Sequence, residues 1–512
     1  KMQRDVQSVQ REFKPMDVAG VDLQKAVIDV LAHPTVASKR FLITIGDRSV
    51  QGFTHRDQMV GPWQIPVADV AVTLADFKGL AGTAMAMGER TPLAAWDAPA
   101  SGRMAVAETI TNLLAAPIEL EKVKLSANWM AACGEAGEDA ALYATVKAVG
   151  MELCPQLNIS IPVGKDSLSM RTQWQGQGGQ AQKVVSPVSL IISGFVSLDD
   201  VTGTLTPQLQ AGDSSLILID LGKGKNRLAG SVLGQVLNQE GQAVPDLDSA
   251  EDLKNLVAAI NALRPQILAY HDRSDGGLLA TVSEMAFAGQ TGVALNIDML
   301  VAEGDGVSDS RLDTGDAKNW ATQIAARRHE ASLRALFAEE LGVVIQVAQA
   351  DRDAAIATLR QHGLGRYSHV IGKTQNDTAA AQLTIWRDAQ KIFGASVQDL
   401  QQVWDAVSWK IARERDNAIC ADSEHALAGQ PEGTALHVAL ADSHRALMAA
   451  PFVRTGAKPR MAVLREQGVN SHVEMAYAFD LAGFEAVDVH MSDLQTGCAQ
   501  LPDFAGVVAC GG

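Results

Sequence analysis

Apolar segments of strand length alternate with amphipathic helical segments over the first two thirds of the chain, and this alternation predicts α/β layers. For residues 26–205 the pattern predicts strands at 41–45, 67–74, 124–128, 158–163 and 187–196 and helices at 102–115 and 138–153. Ser101 is the expected N-cap of the helix at 102–115. We therefore predict a first α/β domain over residues 26–205, preceded by a linker over residues 1–25.

The same alternation continues and predicts a second α/β domain over residues 206–395. Its predicted strands lie at 215–221, 267–270, 293–297, 343–347 and 369–371, and its predicted helices lie at 228–236, 253–263, 276–288, 332–340 and 352–361. Residues 304–330 are rich in Asp, Gly, Ser, Lys and Arg with weak periodicity, which is typical of a solvated surface insertion.

The last part of the chain begins differently. A helix capped by Ser396 leads into a helical and polar connector over residues 396–458. Residues 459–512 then show a strand at 460–464, a helix at 471–481 with capping-box spacing between Ser471 and Glu474, and strands at 486–489 and 505–509. This is the opening of a doubly wound parallel sheet. Because it stops after a buried-strand pattern, we interpret the chain as part of a longer polypeptide.

Composition excludes several classes of protein. The 512 residues are 47% hydrophobic, enough for full cores, and the formal charge of −16 makes nucleic acid an unexpected partner. No apolar run approaches the roughly 18 residues that a membrane helix needs, and no signal segment follows the N-terminus. The five cysteines form no C-x-x-C pair, which fits a reducing cytoplasm, and Cys510 is expected to be a buried, inert thiol.

Four oxygen-bearing side chains are candidates for a hard cation. Asp69 interrupts an apolar string, Glu108 and Asn112 lie four residues apart on one predicted helix face, and Asp272 follows a predicted strand. An all-oxygen set suits Mg²⁺ better than zinc or copper. From spacing alone, the ordinary interpretation is favoured: a helical surface pair plus two strand-end carboxylates in turns.

The loop at 271–277, with sequence HDRSDGG, joins a predicted strand to a helix N-terminus through two glycines. Free backbone N–H groups and the hydroxyl of Ser274 would suit a phosphate there. The alternative is a tight turn in which Asp275 caps the helix. Lys165 and Ser167 lie in a similar predicted loop, where a solvated lysine is the favoured interpretation. Residues 222–226 lack the spacing of a phosphate loop.

Several strings together resemble the large, single-chain bacterial phosphoribosylformylglycinamidine synthases. They are GDRSV at 46–50, RDQMVGPWQ at 56–64, LSANWM at 125–130, IPVGKDS at 161–167, HDRSDGG at 271–277 and REQGVNSHVE at 465–474. The resemblance covers nearly the whole chain, and only 304–330 and 423–455 fit loosely. It implies the second of two synthetase halves, followed by the first strands of a class I glutaminase.

The resemblance implies an ATP-dependent carbon–nitrogen ligase of purine biosynthesis, which converts formylglycinamide ribonucleotide (FGAR) and glutamine into the amidine. It assigns Mg²⁺ ligands to Asp69, Glu108, Asn112 and Asp272, and contacts with ATP or ADP to Ala68 and Ser274. No catalytic residue is expected in this chain. The partners would be the N-terminal synthetase half and the remainder of the glutaminase. The agreement with the oxygen set found above reverses the preference drawn from spacing.

Two hypotheses remain open. In the first, the chain is a portion of an ATP-dependent amidotransferase ligase. In the second, the chain by itself is a non-catalytic Mg-nucleotide scaffold that completes a pseudo-twofold core. Another synthetase of the same superfamily, such as an aminoimidazole ribonucleotide or selenophosphate synthetase, is disfavoured by the glutaminase start after Pro459.

Overall fold

A computed structural model describes residues 6–9, 11–46, 48–49, 52–301, 317–375, 381–430, 434–439 and 456–511, without the side chains of 317–321. Asp47 and Val50 of the 46–50 string, residues 304–316 of the predicted insertion and most of the 423–455 stretch therefore lie outside the described residues. Within the described ranges, no helix has both the length and the apolar character that a membrane span requires.

Three main sheets organise the described strands. The strands are β1 (Thr54–Arg56), β2 (Ala71–Leu74), β3 (Gly82–Glu89), β4 (Lys124–Met130), β5 (Ser160–Ser167), β6 (Arg171–Gln175), β7 (Ala181–Val185), β8 (Ser189–Leu198), β9 (Ser214–Asp220), β10 (Ile267–Arg273), β11 (Val293–Asn296), β12 (Gly342–Ala348), β13 (Ser368–Thr374), β14 (Gln382–Arg387), β15 (Gln390–Ser396), β16 (Arg460–Arg465), β17 (Glu485–His490) and β18 (Gly506–Ala509). The orders are β1-β2-β3-β8-β4-β5, β10-β12-β9-β13-β11-β14-β15 and β17-β16-β18, with a separate β6-β7 hairpin.

The helices cover the faces of these sheets. They are α1 (Leu23–Leu31), α2 (Arg40–Ile43), α3 (Ala98–Leu113), α4 (Glu138–Val146), α5 (Cys154–Leu157), α6 (Val232–Leu237), α7 (Ala250–Leu263), α8 (Gly277–Gly289), α9 (Asp298–Val301), α10 (Ala317–Phe337), α11 (Arg352–Gln361), α12 (Val397–Arg415), α13 (Ala418–Ala428), α14 (His472–Leu481) and α15 (Met491–Thr496). The mixed α/β class expected from the alternation is confirmed, although most pairs in the two large sheets are antiparallel.

Helix α3 is the centre of the fold. It packs on β3 and β8, where Gly88 and Gly194 leave room for its backbone and for Thr109. Its buried residues share one core with β9, β10, β12 and α7, so the first and second sheets are held together through it. The opposite face of the second sheet forms another core with α1, α8, α10 and α12.

Several predicted elements shift in ways that matter for the site. The predicted strand at 41–45 is wrong: Arg40–Ile43 is a helical turn, and Arg40 pairs with Asp405 on α12 at 3.0 Å. Helix α3 begins three residues before Ser101 and is capped by Asp97, which accepts from the Ala100 N–H. Asp97 followed by a proline in the first turn was a start signal that the apolar periodicity obscured.

Two further expectations change. The part of the insertion at 317–330 is not irregular, because it belongs to helix α10. Ser471 makes no capping bond on α14, and its hydroxyl donates instead to the Cys510 carbonyl at 2.9 Å. The parallel opening of the last sheet is confirmed, with β17 and β18 both parallel to β16.

A buried ion network joins the first sheet to the second. Arg90, directly after β3, donates to Asp275 at 2.6 Å and to Glu339 at 2.6 Å. The other Glu339 oxygen accepts the backbone N–H groups of Val232 and Gly276, at 2.8 and 2.9 Å. One carboxylate thus ties the first turn of α6 and the start of α8 to the first sheet.

We predict that Arg90→Ala lowers the free energy of unfolding by about 3–5 kcal/mol, because it leaves buried carboxylates without their cation. Urea unfolding followed by circular dichroism measures this. Arg103→Ala is the matched control: its pair with Asp246 joins α3 to the segment between α6 and α7 at 2.6 Å but is partly exposed. The control should cost at most about 1 kcal/mol. Equal losses in both variants would contradict the prediction.

Candidate functional site

Asp69, His271 and Asp272 form a compact buried cluster. One ligand atom from each residue lies within 4.8 Å of the others, which among the described residues makes this a group able to hold a metal ion. Asp272 belongs to strand β10 itself, not to the turn after it as predicted. It is brought to Asp69 because the Asp272 N–H donates to an Asp69 oxygen at 3.3 Å.

Helix α3 supplies the other two predicted ligands. Glu108 is buried and accepts the Glu89 N–H at 2.7 Å. Asn112 is half-buried and donates its amide to the Met87 carbonyl at 3.0 Å, so its side-chain oxygen is not used by that bond. The Tyr270 hydroxyl donates to the Thr111 carbonyl at 2.6 Å and fixes α3 against β10.

The electrostatics show that the carboxylates are close and poorly compensated. Burial raises the pKa of Asp272 to about 8, and the Asp69 charge adds to the effect. Burial also raises the pKa of Glu108 well above its usual value; Arg90 opposes this, while the Asp272 charge reinforces it. Such acids are costly to keep in a fold unless a cation joins them.

His271 carries the compensating charge inside the cluster. Its Nδ1 lies 2.7 Å from an Asp69 oxygen and its Nε2 lies 2.9 Å from a Glu284 oxygen. Burial lowers the pKa of His271, but Asp69 and Glu284 outweigh burial and raise it well above the usual value.

The donor set fits a hard divalent cation. The second side-chain oxygens of Asp69 and Asp272 are buried and have no hydrogen-bond partner among the described residues. Buried carboxylate oxygens are rarely left so, since each costs free energy. Oxygens from Asp69, Asp272, Glu108 and Asn112 match what Mg²⁺ prefers.

The loop at 271–277 is occupied differently from the prediction. The Gly276 N–H donates to Glu339, and the Gly277 N–H donates to the Ser274 carbonyl at 3.0 Å. A protein carboxylate therefore takes part of the place expected for phosphate. Asp275 makes no capping bond on α8 and pairs with Arg90 instead. Ser274 is half-buried beside this loop.

A polar cavity of about 440 Å³ lies against Ala68 and Asp69. Its walls also include Arg56, Gln64 and Thr206. The cavity places Ala68 next to the carboxylate cluster. Ser274, the other predicted nucleotide contact, is not among its lining residues.

The remaining candidates lie elsewhere. Lys165 and Ser167 are part of β5 and bond to each other at 2.6 Å, so the predicted loop is a strand. In the 222–226 segment, the N–H groups of Gly222 and Gly224 donate to Asp220, so a carboxylate occupies this turn too. Cys510 is half-buried, not fully buried, and burial raises the pKa of its thiol, with Glu474 adding to the shift.

Sequence reasoning missed three residues that shape the site: His271, Glu339 and Arg90. His271 stands beside Asp272 in the HDRSDGG string, so its position was visible but its role was not. Glu339 and Arg90 lie 249 residues apart, and no periodicity links them. A charged residue predicted inside an apolar helix end, as at Glu339, was the one available signal.

We predict that Asp272→Asn stabilises the metal-free chain, and increasingly so from about pH 5 to about pH 8. An acid whose pKa rises on folding keeps its proton in the native state, so native stability is lost as pH rises towards about 8. Asparagine mimics the protonated acid and escapes that loss. Thermal unfolding in EDTA should show an advantage that grows by on the order of 1 kcal/mol per pH unit. An advantage that is constant or falls with pH would refute the prediction.

Comparison with protein families finds three successive matches. Residues 38–197 match the FGAR-AT PurM N-like domain, residues 214–382 match the C-terminal domain of AIR synthase related proteins, and residues 458–512 match the CobB/CobQ-like glutamine amidotransferase domain.

Among solved structures, Thermotoga maritima PurL complexed with FGAR is 12% identical, with a TM-score of 0.47, and the match covers 73% of this chain and 52% of that one. PurLQS from T. maritima is also 12% identical, with a TM-score of 0.48, and the match covers 73% of this chain and 51% of that one. Escherichia coli HypE, a hydrogenase maturation protein, is 17% identical, with a TM-score of 0.39, and the match covers 60% of this chain and 84% of that one. The chain spans about half the length of the PurL chains it matches. The series of three domains along one chain shows that it belongs to the PurL-type FGAR amidotransferase family.

Proposed function

We propose that the chain is the Mg-nucleotide-binding part of an enzyme that uses ATP and glutamine to convert FGAR into formylglycinamidine ribonucleotide in purine biosynthesis. The observation that carries the proposal is the buried cluster of Asp69, His271 and Asp272, with the buried carboxylate of Glu108 close enough for the charge of Asp272 to raise its pKa. The family assignment and the T. maritima PurL structures described as complexed with ATP and with ADP support a nucleotide as the ligand.

In this proposal Asp69, Glu108, Asn112 and Asp272 hold Mg²⁺, and Ala68 and Ser274 contact the nucleotide. When bound, Mg²⁺ neutralises phosphate charge beside the cluster. The chain's own residues then bind and orient: the Asp272 N–H fixes Asp69, the Glu89 N–H fixes Glu108, and the cavity beside Ala68 receives part of the nucleotide.

The site in this chain suits holding a nucleotide better than breaking one down. Both ring nitrogens of His271 are engaged by carboxylates, so the imidazole of the cluster is not available as a general base. We therefore propose that the chain contributes a structural nucleotide site and that turnover of FGAR takes place in the other synthetase half.

That half would pack on the outer face of the first sheet. Met85 and Met87 on β3 lie on the face opposite α3, and Phe195, which pairs with Met85, lies on the same face. Val163 on β5 continues this surface and is 60% exposed. Exposed apolar side chains on one sheet face, here interspersed with polar ones such as Ser126 and Ser193, are typical of an interface, and we propose the partner half as its occupant.

We predict that Mg-ADP raises the melting temperature of the chain and that Asp272→Asn or Glu108→Gln removes most of the rise. A ligand that binds only the native state at about 100 times its Kd adds about 2.7 kcal/mol. Differential scanning fluorimetry with and without Mg²⁺ measures this. Asp166→Asn, an exposed carboxylate on β5, is the control and should keep the full shift. Undiminished shifts in both site variants would exclude the metal assignment.

We predict that the purified 512-residue chain releases no glutamate from glutamine. Glutamine hydrolysis through a thiol needs an activated thiolate, whereas the pKa of Cys510 is raised by burial and by Glu474. A coupled glutamate dehydrogenase assay measures release. Steady release that Cys510→Ala abolishes, while Cys498→Ala leaves it intact, would make Cys510 a nucleophile and overturn this part of the proposal.

A further inference from the structure

His271 lies at the centre of a hydrogen-bonded chain that crosses the second core. Its Nδ1 contacts Asp69 at 2.7 Å and its Nε2 contacts Glu284, on α8, at 2.9 Å. The other Glu284 oxygen accepts from the Trp404 indole at 3.2 Å, and the same indole N–H reaches the Val36 carbonyl at 2.9 Å. The imidazole is therefore held at one end by Asp69, in the segment before β2, and at the other end by Glu284 on α8.

This arrangement fixes what each ring nitrogen does. Ionised carboxylates only accept hydrogen bonds, so a histidine between two of them donates from both nitrogens. Neither nitrogen then has a lone pair for a metal ion. Although His271 lies within 4.8 Å of the two aspartates, its geometry is that of a donor to the ligands and not of a ligand.

The two carboxylate oxygens of Asp69 have different surroundings. Oδ1 accepts from His271 Nδ1 and from the Asp272 N–H. Oδ2 is buried and has no hydrogen-bond partner among the described residues. With Oδ1 committed on one side, the carboxylate cannot rotate without breaking two bonds, and Oδ2 stays uncommitted beside Asp272.

We propose that His271 is a positioning residue for the cation site: its Nδ1–H holds Asp69 so that Oδ2 is offered to the divalent cation together with Asp272. Glu284 and Trp404 in turn hold the imidazole in place. This inference rests on the proposed function, since it presupposes that the cluster binds a cation. Partners behind a ligand of this kind typically change metal affinity by 10–100-fold.

Two substitutions separate the two ends of the imidazole. In His271→Asn the side-chain amide takes the place of Nδ1 and can still donate to Asp69, while the bond to Glu284 is lost. In His271→Gln the amide takes the place of Nε2 and keeps Glu284, while the bond to Asp69 is lost. Affinity for Mn²⁺, a spectroscopic substitute for Mg²⁺, is measured in the presence of ADP by the electron paramagnetic resonance signal of free Mn²⁺.

We expect His271→Gln to weaken Mn²⁺ binding by at least about 10-fold and His271→Asn to restore most of the affinity. His425→Gln is the matched control, because it removes the Nδ1 bond of 2.9 Å from an imidazole to Asp405 outside the cluster, and it should bind Mn²⁺ like the wild type. Binding by His271→Gln within twofold of wild type, or equal losses in the Asn and Gln variants, would overturn the inference.

A measurement on the unmodified chain covers the case in which a variant does not fold. With ¹⁵N-labelled histidine, Nδ1 of His271, the nitrogen that contacts Asp69, should remain protonated when Mg-ADP is added. Loss of the Nδ1 proton on binding would refute the positioning role. If the wild-type chain binds no Mn²⁺ with ADP, the proposed function fails and the inference with it, whereas normal wild-type binding with the wrong variant pattern refutes the inference alone.

Discussion

The carboxylate of Glu339 is the constraint on which the arrangement of the site depends. It accepts two backbone N–H groups, at the beginnings of α6 and α8, and pairs with Arg90 from the end of β3. The residue before Arg90 is Glu89, whose N–H donates to Glu108 on α3. A short series of bonds therefore runs from the start of α8 to Glu108 on α3. It acts together with the bond from Tyr270 to the Thr111 carbonyl, which fixes α3 against β10.

The same network explains why so many buried charges are present together. Replacing a buried ion network with apolar side chains often costs no stability, so its presence calls for another reason. Here the charge of Arg90 counters the rise in the pKa of Glu108, and the charge of His271 counters the rise in the pKa of Asp272. The fold thus keeps the acids in place while leaving oxygens uncommitted, which is the condition that a metal site requires.

The sequence predicted the parts of this structure that depend on local pattern. Most of the predicted strands and helices of the two large sheets are present, and two of the four predicted oxygen ligands, Asp69 and Asp272, lie in one cluster, while the metal assignment itself stays a prediction. The predictions from the sequence were wrong where contacts between distant parts of the chain determine the local structure. Residues 41–45 have a strand pattern, yet Arg40 is drawn into a helical turn by Asp405 on α12, 365 residues away. The sequence predicted a phosphate at the start of α8, but the Gly276 N–H there donates to Glu339, which lies 63 residues away in the sequence. Local pattern could not reveal this contact.

A site built in this way has a particular energetic character. Its metal-free form keeps acids whose pKa values are raised, so it is strained towards protonation near neutral pH. A bound cation removes that strain, and the free energy of binding becomes part of the stability of α3, β10 and the two sheets that they join. Since both ring nitrogens of His271 contact carboxylates, the imidazole is not available as a general base for turnover of a nucleotide. The same hydrogen bonds are therefore consistent with the proposed structural role of the nucleotide, in which the ligand is held and not turned over.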